Sequence, residues 1–389
     1  MNAFGQTICL SMIVKNEAHV MRRCLDSVRP FIDHWVIVDT GSTDGTQDVI
    51  RTALEGLPGT LVERPWVDFA HNRSEALALA RPHGTYSLII DADDVLVSPA
   101  GFAMPKLDAP GYTFTILDAL TRYTRIQLVS NAVNWRYRGV LHEFLDCAEP
   151  SGTKPLPLAM RRGEDGARHR DTETYRRDAA VLETALKTET DPFLIARYTF
   201  YLAQTYRDVD EPRKALTYYL KRSELGYWHE EVYISLLSAA YLMQRLGEPK
   251  DKVCAVFDRA IAICPERAEG HHGASRYCRQ IGDYVKGLHY AQAGMPPTLP
   301  SEALFLQSWI YIYGLRDECA VNAFNTGQYR LCISTCLDIL DQSDLPVEVR
   351  SRIGRLSREA MGKMIDPIWG CQQLAYQSRF LPSWEFAVA

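Results

Sequence analysis

The residues best placed to do chemistry are three carboxylates in four positions, Asp91-Ala92-Asp93-Asp94, directly after the apolar run Tyr86–Ile90. Like charges this close repel, and burying them is costly unless a cation shares the site. Hard divalent ions take oxygen ligands, often one or two carboxylates completed by the phosphate oxygens of a substrate. The cluster therefore predicts a metal bridging the chain to a diphosphate, with an ordinary acidic turn as the plainer alternative. A second pole is His142-Glu143, a carboxylate able to take a proton beside an imidazole. Earlier stands the polar stretch Asp39–Asp44, at the end of another apolar run. No Walker-type glycine-rich lysine loop is present.

The elements that must position these residues are legible from periodicity. Thr7–Val14 is a continuous apolar run, the mark of a strand covered on both faces. Glu17–Val28 places Val20, Met21, Leu25 and Val28 on one helical stripe. Trp35–Asp39, Thr60–Arg64 and Tyr86–Asp91 read as further strands, and Thr43–Leu57 and Phe69–Ala80 as helices. Such alternation predicts a Rossmann-like α/β domain with a mostly parallel sheet. Ligands of such sheets sit beyond the carboxyl ends of the strands, where the polar clusters fall.

After about residue 175 the strands stop and helices follow in pairs. Leu202-Ala203 with Tyr206 is echoed by Leu237-Ser238 with Tyr241 and by Ala274-Ser275 with Cys278, near the ~34-residue period of tetratricopeptide repeats. Gly282-Asp283-Tyr284 and Gly327-Gln328-Tyr329 mark hairpin turns, and Ala260 followed by Pro265 marks a helix end. Gly247–Lys252 looks like an insertion, and Pro296–Ser301 interrupts the series. The expected division is residues 1–165 for the first domain and 166–389 for an all-α, TPR-like second. Gly152–Gly166, rich in Pro, Gly and charge, is read as the junction. Arg161, Arg162, Arg168, Arg170, Arg176 and Arg177 around it form a solvated face, or lend one or two phosphate contacts.

Ser11–Glu17, Val38–Thr46, Phe69–Leu77 and Ile90–Val95 follow one another as in the GT-A fold glycosyltransferases of family 2, which residues 7–145 resemble. Gly139–Glu143 looks like the H-E motif of a bacterial branch, some members of which carry helical repeats after the catalytic domain. The resemblance implies inverting transfer from a nucleotide sugar, UDP-linked for preference, with Mn²⁺ or Mg²⁺ as cofactor. It implies that Asp39 accepts from a base N–H, that Asn16 and Glu17 line the same pocket, and that Arg73 lies near the diphosphate. Asp91 would sit near the ribose and Asp93 on the metal. Asp44 either assists the base pocket or caps the following helix. His142 completes the metal's coordination or orients the acceptor, with His169 as an alternative ligand. Glu143 takes the role of base, with Asp118 and Asp94 as rivals. Ser74 departs from the Asn of many relatives. Trp66, Trp135 and Tyr137 are explained by packing as readily as by a sugar and stay outside the expected site.

Composition narrows the alternatives. Forty-three Lys+Arg against 48 Asp+Glu gives a net charge of −5, which argues against a coat for nucleic acid or an anionic membrane. No apolar run approaches the ~20 residues of a membrane span, and the N-terminus reads as a strand rather than a leader. Ten cysteines without a C-x-x-C pair read as buried thiols, Cys332 and Cys336 one helical turn apart among them. That fits a reducing, cytoplasmic setting. The rival function is an inactive helical-repeat scaffold, against which every acid of the donor site is retained. A nucleotidyltransferase would want a glycine-rich basic loop after the first strand, and Ser11–Glu17 has no glycine. The second half, with Tyr198, Tyr201, Tyr218, Tyr219, Tyr227, Trp228 and Tyr233, is expected to select a glycan or a protein or peptide acceptor. The plainer use of that half is as a brace or a homodimer interface.

Overall fold

All of β1 (Ile8–Val14) except Ile13 is buried, as an apolar run between two helical layers must be. The computed structural model describes residues 1–118, 121–148, 152–163, 165–167, 173–300 and 303–364. Arg168, His169 and Arg170, all named above, lie outside the described residues. β2 (His34–Asp39), β3 (Gly59–Glu63) and β4 (Tyr86–Ile89) join β1 in the parallel order β3-β2-β1-β4. The crossovers are α1 (Ala18–Val28), α2 (Thr46–Ala53) and α3 (Phe69–Ala80). α2 is shorter than expected at both ends: it starts only after Gly45, at φ 89°, and ends at Ala53 rather than Leu57.

Beyond β4 the sheet becomes mixed. β5 (Val95–Val97), β6 (Gly111–Asp118), β7 (Thr121–Ser130) and β10 (Thr153–Arg161) complete eight strands in the order β3-β2-β1-β4-β7-β6-β10-β5. β7 runs antiparallel to β4 and β6, while β10 lies parallel to β6 and antiparallel to the edge strand β5. A separate ribbon pairs β8 (Arg136–Arg138) with β9 (Phe144–Asp146).

The segment expected to be a junction, Gly152–Gly166, instead contributes β10 to this sheet. Leu156, Leu158 and Met160 alternate inward at 7%, 2% and 0% exposure, the period of a half-buried strand. Pro155 and Pro157 disguised it. They are accommodated where the pairing with β6 shifts register between Pro155 and Ala159, so fewer ladder N–H groups are needed.

Two compact units divide the chain, Met1–Val209 and the residues from Asp210 onward. The division falls later than the expected boundary after residue 165. The first helical hairpin, α4 (Thr174–Thr188) and α5 (Pro192–Asp208), belongs to the first unit.

The described part of the second unit is helical. It comprises α6 (Pro212–Ser223), α7 (His229–Arg245), α8 (Lys250–Ile263), α9 (Ala268–Gln280), α10 (Tyr284–Ala293), α11 (Leu315–Asn325), α12 (Tyr329–Leu340) and α13 (Val347–Met364). Gly247, Gly282 and Gly327 turn their hairpins at φ 72°, 80° and 75°, conformations that L side chains rarely adopt. Gly247–Lys252 is therefore an ordinary turn into α8 and not an insertion. Pro296–Pro300 do fall outside the helices, after α10 and before a π-helical turn at Ile310–Gly314, while Ser301 lies outside the described residues. Arg267, 1% exposed, pairs with Glu230 and Glu269, and the Tyr311 hydroxyl donates to Glu269 at 2.7 Å. Tyr219 and Tyr233 are fully buried, whereas Tyr227 and Trp228 are exposed. Among the described residues no helix is long and apolar enough to cross a membrane, and all described cysteines are free, all but Cys147 buried.

β10 as a core strand has a measurable consequence. Leu158→Ala should lower unfolding free energy by about 2–5 kcal/mol in a urea titration, the range for a large-to-small core change. Native-state proteolysis should leave 153–161 intact, and a preferred cut there would contradict the assignment.

Candidate active site

The loops after β1 and β2 are locked to each other by side chains. Asn16, in the left-handed region at φ 58°, donates its N–H to Ser42 Oγ at 2.8 Å and accepts from the Thr43 N–H at 2.8 Å. The Glu17 N–H reaches Thr46 Oγ1 at 2.9 Å. Asp44 accepts from the Ala18 N–H at 3.0 Å, and from the Thr46 N–H and hydroxyl at 3.1 and 2.5 Å. Its two carboxylate oxygens thus tie the start of α2 to the start of α1.

Asp39, fully buried at the end of β2, divides its oxygens. Oδ1 accepts from the N–H groups of Gly41 and Ser42 at 2.9 and 2.8 Å. Oδ2 is buried without a hydrogen-bond partner. Leaving a buried anionic oxygen unsatisfied costs folding energy, and an N–H of a bound base would relieve it.

Arg73, from α3, joins the two expected poles. Its Nη2 donates to Asp91 Oδ1 at 2.5 Å, and its Nε lies 2.6 Å from Glu143 Oε1. The second approach is a charge contact whose angle is not that of a hydrogen bond, so Nε has no aligned acceptor. The guanidinium is 14% exposed and stands over the Phe69 and Tyr137 rings at 5.9 and 5.7 Å. Burial pulls its pKa down, but Asp91 and Glu143 prevail and hold it above the ordinary arginine value. As the chain stands, Arg73 is engaged by carboxylates rather than open to a phosphate.

Burial pushes the Asp91 pKa up, but Arg73 and Arg125 outweigh it and hold the carboxyl at about 2. Asp94 is pushed the other way, to about 7, by burial and by Asp91, with Arg125 opposing from 3.5 Å. Asp93 lies under the chain that returns from β10: a Cβ on Gly163 would fall 2.3 Å from its carbonyl oxygen, and one on Gly166 2.6 Å from Oδ2. Only glycine allows that approach. Glu17 accepts from the Ala167 N–H at 3.2 Å. Burial, with Asp93 adding repulsion, pushes the Glu17 carboxyl up to about 7 against that hydrogen bond. Glu17, Asp91, Asp93 and Asp94 thus influence one another electrostatically, but no three of them bring ligand atoms within 4.8 Å of one another.

The structure does not gather Asp93 and His142 into a three-ligand cluster. Among the described residues the set whose ligand atoms all lie within 4.8 Å is His229, Glu230 and Cys264, in the second unit. The ring of His142 instead lies face to face with Tyr201, centroids 3.7 Å apart and planes at 7°. Of the rival bases, Asp118 pairs with Arg162 at 3.0 Å and Asp94 is buried against Arg125.

Periodicity and motifs missed several participants. Arg125 on β7 and Arg23 on α1, whose Nη2 donates to the Asp93 carbonyl at 2.8 Å, carry no local signal. Tyr137 was set aside, although a Tyr beside the H-E stretch could have marked it. The departure at Ser74 has a structural account: its Oγ accepts from the Tyr137 N–H at 2.8 Å, pinning β8 to α3.

Residues 9–99 match the model of the family described as glycosyl transferase family 2. The chain carries a family 2 glycosyltransferase domain. A TPR repeat-containing protein of Synechococcus elongatus is 29% identical over 286 residues, spanning 68% of each chain. An uncharacterized glycosyltransferase of Rickettsia felis is 32% identical over 91 residues, 23% of this chain and 30% of that protein. A solved thermophilic TPR protein of Thermus thermophilus, 16% identical with a TM-score of 0.32, covers 47% of this chain and 90% of that one. Residues 9–99 thus lie in a family 2 glycosyltransferase domain with a GT-A-like sheet, and paired helices follow it in the chain.

Glu17 gives this domain a pH signature. Its folded pKa lies above the unfolded value, so between about pH 4.5 and 7 the folded chain binds more protons than the unfolded chain, and stability falls as pH rises through that window. Glu17→Gln should therefore raise Tm at pH 8 and change it little at pH 4. A shift of the same size at both pH values would contradict the buried carboxylate.

Proposed function

We propose that the chain is a metal-dependent, inverting glycosyltransferase that moves a sugar from a nucleotide-sugar donor, a UDP-sugar, onto a glycan or a protein or peptide acceptor. The observation that carries this reading is the Asp91–Arg73–Glu143 bridge. One guanidinium links the acid cluster suited to a diphosphate with a carboxylate suited to an acceptor hydroxyl. Asp39 Oδ2 supplies the acceptor for a uracil N–H, with Asn16 and Glu17 shaping the wall beside it. Asp93 would hold a divalent cation, Mn²⁺ or Mg²⁺, which when bound supplies counter-charge for the diphosphate.

In the proposed step Glu143 takes the acceptor hydroxyl proton as that oxygen bonds to the anomeric carbon. The carbon–oxygen bond to the diphosphate breaks on the opposite face, UDP leaves with the electron pair, and configuration inverts. Arg73 orients Glu143 for this transfer. His142 is a candidate for orienting the acceptor, and the helical array is proposed to select it. Nine described free cysteines support a reducing, cytoplasmic setting.

Incubation with nucleotide sugars and Mn²⁺ or Mg²⁺ should give slow UDP release that stops in EDTA. Asp93→Ala should abolish metal-dependent UDP binding. Glu143→Gln should keep UDP affinity while lowering transfer about 10²–10⁴-fold, the usual contribution of a positioned base. Neither UDP binding nor release from any donor would favour the inactive scaffold instead.

A further inference from the structure

The Gly139–Glu143 loop that presents the candidate base is the tip of the β8–β9 ribbon, and it is not self-supporting. It contains two left-handed residues, Gly139 at φ 103° and His142 at φ 52°. A non-glycine residue there costs on the order of 1 kcal/mol or more and persists where its surroundings dictate the conformation. Those surroundings are one face of α5, the helix that also carries the first Leu202-Ala203…Tyr206 repeat signature. Asp191 caps that helix by accepting from the Phe193 N–H at 2.9 Å and pairs with Arg138 at the end of β8. Phe193, Arg197 and Tyr201 then recur at four-residue spacing, with Tyr198 beside them, so all reach the ribbon from the same side.

Each makes a different contact. Phe193 meets Phe144 edge to face at 5.4 Å, and Arg197 stands over the Phe144 ring at 5.0 Å. Arg197 donates from Nε and Nη2 to the His142 carbonyl at 2.9 and 2.7 Å. The hydroxyl of the buried Tyr198 accepts from the Val140 N–H at 3.1 Å. Tyr201 stacks on the His142 ring at 3.7 Å. The backbone is therefore held on both sides of the strained residue, and Glu143 follows immediately, its carboxylate against Arg73.

We propose that Arg197, Tyr198 and Tyr201 are positioning residues for the glycosyl-transfer step: they fix the backbone of the 139–143 loop so that Glu143 and His142 meet the acceptor in one geometry. This rests on the reading of Glu143 as base. It makes α5 a working part of the catalytic unit, so one helix serves both the repeat pattern and the transfer site. The donor pocket, built on β1, β2 and the end of β4, does not use these contacts, so the residues should govern turnover and not nucleotide affinity.

The test compares wild type with Arg197→Ala, Arg197→Lys, Tyr198→Phe and Tyr201→Leu in the full chain, reading kcat and donor KM for transfer, UDP affinity by titration calorimetry, and amide exchange at 140–143. Arg197→Ala and Tyr201→Leu should lower kcat at least tenfold with donor KM and UDP Kd within twofold, and should speed exchange at 140–143. Arg197→Lys, which keeps one donor to the His142 carbonyl, should recover part of the loss. Tyr198→Phe removes a single hydrogen-bond acceptor without changing shape and should lower kcat several-fold in a chain that folds normally. Active variants with wild-type kcat would overturn the positioning role while leaving the function intact. Equal losses in UDP affinity and kcat would also overturn it, by showing a general structural effect. A wild-type chain without donor turnover would instead overturn the function itself.

Discussion

A buried arginine charge shared between two carboxylates is the constraint on which the rest of the catalytic unit depends. Arg73 comes from α3, Asp91 follows β4, and Glu143 immediately precedes β9, so three segments far apart in sequence meet at one guanidinium. Removing one partner of a fully buried pair typically costs about 3–5 kcal/mol, because the other charge is left uncompensated, and the cost is smaller here because the Asp91 side chain is 33% exposed. The pair therefore constrains where α3, the end of β4 and the β8–β9 ribbon can lie. Ser74, one residue on, reinforces the arrangement by holding the Tyr137 backbone. The acid cluster is partitioned by the same charge: Asp91 is held ionised, and Asp94, beside that fixed negative charge and 2% exposed, is pushed toward its neutral form.

Much of the α/β half was legible because its strands are buried on both faces and its helices carry one apolar stripe. β1, β2 and β3 fall within a residue or so of the expected spans, and α3 matches at both ends. β10 was not legible, since its prolines, glycines and charges look like linker composition while the Leu156, Leu158, Met160 alternation is spread over five residues. Local patterns show whether a residue can be buried. They do not show which distant strand will accept it. The donor-side acids were found because they cluster in sequence, and Arg73 because of its motif. Its engagement by Glu143 was out of reach, because a separation of 70 positions leaves no local trace.

The expected boundary after residue 165 and the compact division after Val209 answer different questions. The repeat pattern begins in α5, so the sequence pattern assigns that helix to the array. Packing assigns it to the first unit through Asp191, Phe193, Arg197, Tyr198 and Tyr201. A helix has more than one face, and the repeat signature uses only some of its positions. The remaining positions here carry the aromatic and guanidinium groups that meet the β8–β9 ribbon. The same economy holds in the second unit, where Arg267, at the start of α9, binds its neighbour Glu269 and reaches across to Glu230 of α7, an internal use of charge that surface patterning does not reveal.

The central claim is that Arg73 and Glu143 act as one unit in sugar transfer, and a double-mutant cycle on kcat measures this directly. Lysine at position 73 keeps the positive charge but cannot bridge two carboxylates with a planar fork. If the bridge is the working element, Arg73→Lys and Glu143→Gln should each remove most of the rate, and the double variant should be no slower than the worse single one. Losses that instead multiply, as for independent sites, would contradict the account.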